Sequence, residues 1–271
     1  MLDQDRMLSK NHSGLSFLKS KSAHPDYPLF VFLPGMDGTG KLFHKQKSTL
    51  EKYFDVRCLV IPPNDLNDWD TLSIEVIKLI EAVLEEKTSR QVYLCGESFG
   101  GCLALKVAVK MPKLFQRLIL INPASSFNQR PWLSFGVTIT QWMPEFFHQR
   151  STLVLLPFLA ALNRITPSDR RALLTAMQSV PPEIVSMRLA LLRDFVLDDD
   201  LLRRLSLPVL LIASGSDRLL PSVEEVQRLL NIFPHAKMTI LPDSGHAPLV
   251  EEDIQLFNLL KQQQFLDPIP V

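Results

Sequence analysis

Residues 91–101, Gln91-Val92-Tyr93-Leu94-Cys95-Gly96-Glu97-Ser98-Phe99-Gly100-Gly101, decide how the chain is read. The run QVYLC is short and apolar, as a strand buried on both faces must be. GESFGG follows it directly, and a helical pattern continues to about Met111. Strand, tight turn and helix in that order are the setting in which G-x-S-x-G presents a nucleophilic serine. The reason is steric. The turn is so sharp that positions two before and two after the serine cannot carry large side chains, and here they are Gly96 and Gly100. Gly101 allows a further close approach of helix to sheet. Ser98 then stands at a helix N-terminus with its hydroxyl directed away from the sheet. An ordinary glycine-containing turn with a surface serine would match the same pentapeptide, so the rest of the chain must discriminate.

Working outward, residues 28–34 (PLFVFLP), 55–61 (DVRCLVI), 116–121 (QRLILI), 208–213 (PVLLIA) and 237–241 (KMTIL) read as further strands. Helices are expected over about 41–53, 71–87, 222–233 and 249–265; the second places Leu72, Val76, Leu79, Ile80, Val83 and Leu84 near helical spacing. Wholly apolar strands alternating with helices imply an α/β fold with a mostly parallel sheet of six to seven strands flanked by helices. GLSFL (14–18) is a candidate for one extra strand in the N-terminal segment 1–27.

One connection breaks the rhythm. Pro123 and Pro208 are separated by 84 residues, whereas a whole βαβ unit needs about 30. The reading is a core of residues 28–123 and 206–271 with a helical cap inserted over 124–205. The cap begins aromatic-rich, with Phe127, Trp132, Phe135, Trp142, Phe146 and Phe147 inside 21 residues. Its greasiest stretch, LVLLPFLAAL (153–162), is expected to be a buried or interfacial helix; spanning a bilayer takes about 20 apolar residues.

Composition excludes several function classes. Of 271 residues, 46% are hydrophobic and 21% charged, ample for a packed core and against disorder. Twenty-nine basic and twenty-nine acidic residues cancel, which argues against nucleic-acid binding driven by bulk charge. Cys58, Cys95 and Cys102 form no CxxC pair, pointing to reduced thiols and a cytoplasmic setting rather than a disulfide framework or zinc site. The first residues contain no apolar run suited to a secretory signal.

The glycines are concentrated. Eight of the ten fall in four places: 35, 38 and 40; 96, 100 and 101; 215; and 245. Each place is expected just beyond the C-terminal end of a strand, the edge where open α/β sheets carry their sites. Two of them bring partners for Ser98. His246, in Asp243-Ser244-Gly245-His246, can take the Ser98 proton and return it to a leaving group. Asp217, in Gly215-Ser216-Asp217-Arg218, follows the preceding strand and can fix the imidazole tautomer. Asp243 is a rival acid, but it lies on the same loop as His246. His12, His24, His44, His148 and His235 read as solvated or structural, and Asp198, Asp199 and Asp200 as a solvated turn before a helix. Ser98, Asp217, His246 is the chain order of α/β-hydrolases. In that architecture the N–H after the nucleophile, here Phe99, is one oxyanion donor, and the loop after the first core strand supplies another, here Met36 N–H.

The same loop offers a rival reading. Gly35-Met36-Asp37-Gly38-Thr39-Gly40-Lys41-Leu42 matches the phosphate-binding pattern GxxxxGK between strand and helix. The final position should be Ser or Thr to reach magnesium, and Leu42 cannot. Nucleotide binding would also leave Ser98, Asp217 and His246 unexplained.

LPGMDGTG, GESFGG, GSDRLLPS and SGHAPLVEE together resemble the α/β-hydrolase superfamily from about Pro28 onward. FLPGMDGTG most resembles the esterase/lipase/thioesterase group related to plastid phytyl ester synthases. That resemblance implies transfer or hydrolysis of fatty acyl groups on prenyl alcohols and glycerolipids. Many α/β-hydrolases have His-Gly at the oxyanion loop; this chain has Pro34-Gly35, as that group does. Plant members carry a long C-terminal acyltransferase-like domain, whereas this sequence stops soon after His246, so a stand-alone hydrolase domain is expected. Epoxide hydrolases and dehalogenases share the fold but use an aspartate nucleophile, which Ser98 argues against.

The expectation is a serine hydrolase cleaving carboxylic esters of apolar, fatty acyl or prenyl, substrates through an acyl-enzyme, with no metal or cofactor. The alternative is acyl transfer to a long-chain alcohol such as phytol. Phe127, Trp132, Phe135 and Trp142 are candidate pocket residues, with core packing of the cap as the plainer reading. The cap also holds nine arginines and no lysine over 124–204 against seven acidic residues. That slight excess makes it a candidate for peripheral contact with an anionic lipid surface.

Overall fold

The computed structural model describes residues 14–18, 26–85, 90–129 and 156–267. Seven strands form one sheet: β1 (Ser16–Phe17), β2 (Leu29–Leu33), β3 (Asp55–Val60), β4 (Val92–Glu97), β5 (Arg117–Ile121), β6 (Val209–Ser214) and β7 (Ala236–Leu241), in the order β1-β3-β2-β4-β5-β6-β7. β1 pairs antiparallel with β3, and every other pair is parallel. GLSFL therefore does supply a strand, of two residues, and the sheet has seven strands among the described residues.

Burial explains the strand sequences. In β2 all five residues are buried, with Leu29, Val31 and Leu33 in one apolar cluster and Phe30 and Phe32 in the other. This is the two-residue alternation of a sheet covered on both faces. One face packs against α2 (Trp69–Leu84), α3 (Phe99–Lys110) and α7 (Ser222–Leu230); the other packs against α1 (His44–Leu50) and α8 (Leu256–Gln262). Phe32 stacks on Phe43 with ring centroids 4.0 Å apart.

The inserted stretch is helical where described. It holds a 3-10 turn at Ala124–Gln129, a helical turn at 156–159, a 3-10 turn at Leu162–Arg164, then α4 (Pro167–Gln178), α5 (Pro182–Arg193) and α6 (Asp199–Arg203). α4 and α5 both open with proline, whose fixed φ suits a first helical position and whose missing N–H costs nothing there. Asp198 caps α6 by accepting from Asp200 N at 2.8 Å, so Asp198 precedes the helix, while Asp199 and Asp200 lie in its first turn rather than in a turn before it. Trp132, Phe135, Trp142, Phe146 and Phe147 lie outside the described residues. Among the described residues no helix is long and apolar enough to cross a membrane.

Three expectations need correction. β4 runs on through Gly96 and Glu97, so Gly96 sits inside the strand rather than beyond it. The helix expected over 41–53 begins as a 3-10 turn, Lys41–Phe43, before α1. The single helix expected over 249–265 is broken: a 3-10 turn, Pro248–Val250, is followed by non-helical residues and then α8. The buried Gln46 amide causes that break. It donates to Leu249 O at 2.8 Å and Ile254 O at 2.9 Å and accepts from Leu256 N at 2.7 Å, so side-chain bonds replace helical ones.

The strand order reverses at β2. The chain leaves β2 toward β3 on one side, then crosses back to β4 on the other. Ligand crevices of open α/β sheets form at such a reversal, beyond the carboxyl ends of the strands. Register partners Leu33 and Gly96 bring the loop after β2 beside the turn after β4.

Candidate active site

Ser98 occupies that turn with φ 55° and ψ −116°, a combination sparsely populated for any residue with a side chain. The surroundings enforce it. A Cβ on Gly96 would lie 2.2 Å from Gly100 O, and one on Gly100 would lie 2.1 Å from Leu33 O. Ser98 N donates to Ile121 O at 3.0 Å, while Ser98 O accepts from Gly101 N at 2.9 Å and Ala124 N at 3.1 Å. The backbone is fixed at both ends, and the side chain is left half-exposed.

The structure brings the three expected residues together. Ser98 Oγ lies 2.8 Å from His246 Nε2, and His246 Nδ1 lies 2.7 Å from Asp217 Oδ2. A carboxylate facing Nδ1 assigns the proton there, so Nδ1–H donates to Asp217 and Nε2 accepts from the Ser98 hydroxyl. Asp217 is anchored in turn: Oδ1 accepts from Leu219 N at 2.8 Å and Leu220 N at 3.0 Å, and Oδ2 accepts from Ser222 Oγ. The rival Asp243 has a side chain 81% exposed, against 1% for Asp217.

The loop after β2 closes beside Ser98. Gly38 N donates to Gly35 O at 3.0 Å, making a turn with Met36 and Asp37 at its centre. A Cβ on Gly35 would lie 3.8 Å from Ser98 Cβ. The backbone N–H groups of Met36 and Phe99 have no hydrogen-bond partner among the described residues. Phe127 is buried in the same apolar cluster as Phe99, with Met36 packed against it, and the other three candidate pocket aromatics lie outside the described residues.

Charges are tuned. Burial raises the Asp217 pKa, but the His246 charge and hydrogen bond, Ser222 and the Leu220 N–H outweigh it, so the carboxyl sits below its ordinary value. Burial lowers that of His246, but the charge and hydrogen bond of Asp217 and the charge of Glu97 outweigh it, so the imidazole is raised. Glu97, buried immediately before Ser98, is pushed up to about 8, chiefly by burial. Its Oε1 has no hydrogen-bond partner among the described residues. Burial also raises Asp37 against its bonds from Thr39 and the charge of Arg188.

Sequence reasoning missed the supports of the histidine loop. Asn122, fully buried, donates Nδ2–H to His246 O at 2.7 Å and to Ser214 Oγ at 2.8 Å. The Glu251 carboxylate accepts from Gly245 N at 2.8 Å, Ser244 Oγ at 2.9 Å and Arg164 Nε at 2.7 Å. A buried polar side chain of this kind carries no signal in hydrophobic periodicity. A cavity of about 190 Å³ lies elsewhere, lined by residues including Leu105, Phe195, Leu202 and Arg228, and Ser98, Asp217 and His246 are not among its lining residues. Among the described residues no group of three or more His, Cys, Asp or Glu side chains is placed to hold a metal ion.

Comparison with known proteins shows the family. Residues 28–253 match the family model of the alpha/beta hydrolase fold. Phytyl ester synthase 1, chloroplastic, of Arabidopsis thaliana is 32% identical over 263 residues, covering 87% of this chain and 37% of the plant protein. The chain thus spans little more than a third of that relative. The pimeloyl-[acyl-carrier protein] methyl ester esterase of Vibrio campbellii is 24% identical, covering 83% of this chain and 90% of the esterase. Among solved structures, carboxylesterase CesB from Bacillus subtilis superposes with a TM-score of 0.67 at 14% identity, covering 93% of this chain and 90% of that one.

Proposed function

The chain belongs to the α/β-hydrolase family, and from that premise we propose that it is a serine-dependent carboxylic-ester hydrolase acting on apolar acyl substrates. One observation carries the reading: the unbroken line of hydrogen bonds from Ser98 through His246 to Asp217. Ser98 Oγ attacks the ester carbonyl carbon while His246 Nε2 takes the hydroxyl proton. The carbonyl oxygen becomes an oxyanion and is received by the Met36 and Phe99 N–H groups. Each such donor is worth roughly 10²–10³ in rate. The intermediate collapses, the C–O bond to the alcohol breaks, and His246 returns its proton to the leaving oxygen. Water then attacks the acyl-serine and gives one proton to His246, the bond between the acyl carbon and Ser98 Oγ breaks, the acid leaves, and His246 passes its proton to Oγ. Asp217 stays ionised throughout and balances the imidazolium.

The apolar preference rests on the aromatic content of residues 127–147 and on the esterase and phytyl ester synthase relatives. The likeness to the plant synthase also favours a second reading, in which a long-chain alcohol rather than water resolves the acyl-enzyme. A fluorophosphonate probe tests the common step. It should label Ser98 in the wild type and nothing in Ser98→Ala; labelling of another serine would remove the assignment. Lipid mass spectrometry with and without a long-chain alcohol then separates hydrolysis from transfer.

A further inference from the structure

Arg188 lies on α5, inside the inserted stretch and far from the sheet in sequence, yet it is one of the largest fully buried side chains in the protein. Its guanidinium donates Nη1–H to Met36 O at 2.7 Å and Nη2–H to Pro62 O at 3.0 Å. These carbonyls belong to the loops that follow β2 and β3. The negative charges facing it are Asp65 and Asp37. Burying a cation in this way is costly, and an apolar side chain of similar volume would fill the space more cheaply. The group is therefore informative about what it holds.

It holds the central peptide of the Gly35–Gly38 turn, since the Met36 carbonyl belongs to the bond between Met36 and Asp37. That peptide is the one that rotates when a turn changes type. The loop is shaped to receive the guanidinium. Gly38 has φ +68°, and a Cβ there would lie 2.9 Å from Arg188 Nη1. The same turn also borders Ser98, whose Cβ would lie 3.8 Å from a Cβ on Gly35, and carries the Met36 N–H, which has no hydrogen-bond partner among the described residues.

We infer that Arg188 is a positioning residue for the oxyanion loop: by gripping the Met36 carbonyl it fixes the backbone that aims the Met36 N–H at the reacting oxygen. The inserted stretch then sets the catalytic geometry of the core as well as covering it. A guanidinium suits the task because its fork can grip two carbonyls at once. The inference rests on the serine-hydrolase reading above.

The test compares wild type, Arg188→Met and Arg188→Lys with a p-nitrophenyl ester and a trifluoromethyl ketone, whose adduct with Ser98 carries an oxyanion. Fluorophosphonate labelling is run alongside. Losing a well-set donor costs roughly 10²–10³ in kcat, so a mis-set one in Arg188→Met should cost about 10–100-fold. KM should move much less. Affinity for the ketone should fall by the same factor as kcat/KM, and the acid limb of the pH profile should stay put because His246 and Asp217 are untouched. Arg188→Lys, which can grip one carbonyl, should fall between. A change in KM alone, or ketone affinity unchanged in a folded variant, would overturn the inference. Should Arg188→Met fail to fold, Arg188→Lys decides: wild-type affinity for the ketone overturns the inference. If wild-type Ser98 is not labelled, the hydrolase reading falls and this inference falls with it. Labelling with unaltered ketone affinity removes only the role of Arg188.

Discussion

Asn122 donates its side-chain amide to the carbonyl oxygen of His246 at 2.7 Å. Asn122 follows β5 directly, has φ 43°, and its Oδ1 also accepts from Ser214 N at 2.8 Å. One side chain thus ties the end of β5 to the end of β6 and to the loop that carries the imidazole. The loop is held from the other side by Glu251 and Arg164. Neither support bonds to the imidazole ring, which stays free to exchange protons.

Replacing Asn122 by Ala removes three hydrogen bonds and leaves buried groups unpaired. Each unpaired group costs about 1–3 kcal/mol. Arg164 and Glu251 should still hold most of the loop. Urea unfolding should show a loss of about 3–9 kcal/mol, the sum over the three groups left unpaired, and kcat should fall about tenfold from a less well-aimed imidazole. Full wild-type kcat in the folded variant would show that the histidine loop needs no such anchor.

The imidazole must be neutral to accept the Ser98 proton, so kcat/KM should rise with pH through the His246 pKa. That inflection should fall above the ordinary 6.5, because burial lowers it but the charge and hydrogen bond of Asp217 outweigh burial. In Asp217→Asn the desolvation remains and the opposing charge is gone, so any residual activity should titrate lower. In another fold the equivalent change costs about 10⁴ in kcat. Asp243→Asn, at an exposed carboxylate, should leave both rate and inflection unchanged. A more damaging Asp243→Asn would mean that the acid is misassigned.

Glu97 gives a prediction about stability. Its pKa is raised from 4.5 to about 8 in the folded chain. Between those values the folded state keeps a proton that the unfolded state releases. The unfolded state binds fewer protons there, so this group lowers stability as pH rises through that window. Glu97→Gln removes the effect. Melting curves from pH 5 to 9 should show the variant gaining on the wild type up to about pH 8, then running parallel. A difference independent of pH would show that the carboxyl ionises normally.

How much was legible in advance follows from what each feature does. Apolar strands announce themselves, and β2 to β7 lie where their sequences put them. The turn at Ser98 is readable because Gly96 and Gly100 have no substitutes there. Asp217 and His246 are readable because their loops follow neighbouring strands. The break at residues 251–255 is not, since 249–265 has a good helical pattern and loses to bonds from Gln46, about 200 residues away in sequence. Arg188 is hidden for a related reason. On a helix it reads as a surface cation, and only the tertiary fold turns it inward to Met36 and Pro62.

Chain-length preference tests the substrate class. If the aromatics of residues 127–147 line the space above Ser98, each buried methylene contributes about 0.8 kcal/mol. Four more methylenes would then raise kcat/KM about a hundredfold when that energy is realised in the transition state. A p-nitrophenyl ester series from acetate to palmitate, measured below micelle concentrations, should peak at medium to long chains. A maximum at acetate with steady decline would leave an ester hydrolase whose aromatics serve only to pack the inserted stretch.

The central claim is that Ser98 carries the acyl group. Rapid-quench mass spectrometry after mixing with a medium-chain p-nitrophenyl ester reads this directly. The account predicts a mass gain of one acyl group on the peptide containing Ser98. Neither that adduct nor turnover should appear in Ser98→Ala, a variant that should fold normally; loss of a triad nucleophile costs about 10⁶ in kcat. Wild-type turnover that survives in Ser98→Ala, or an acyl group found on any other residue, would contradict it.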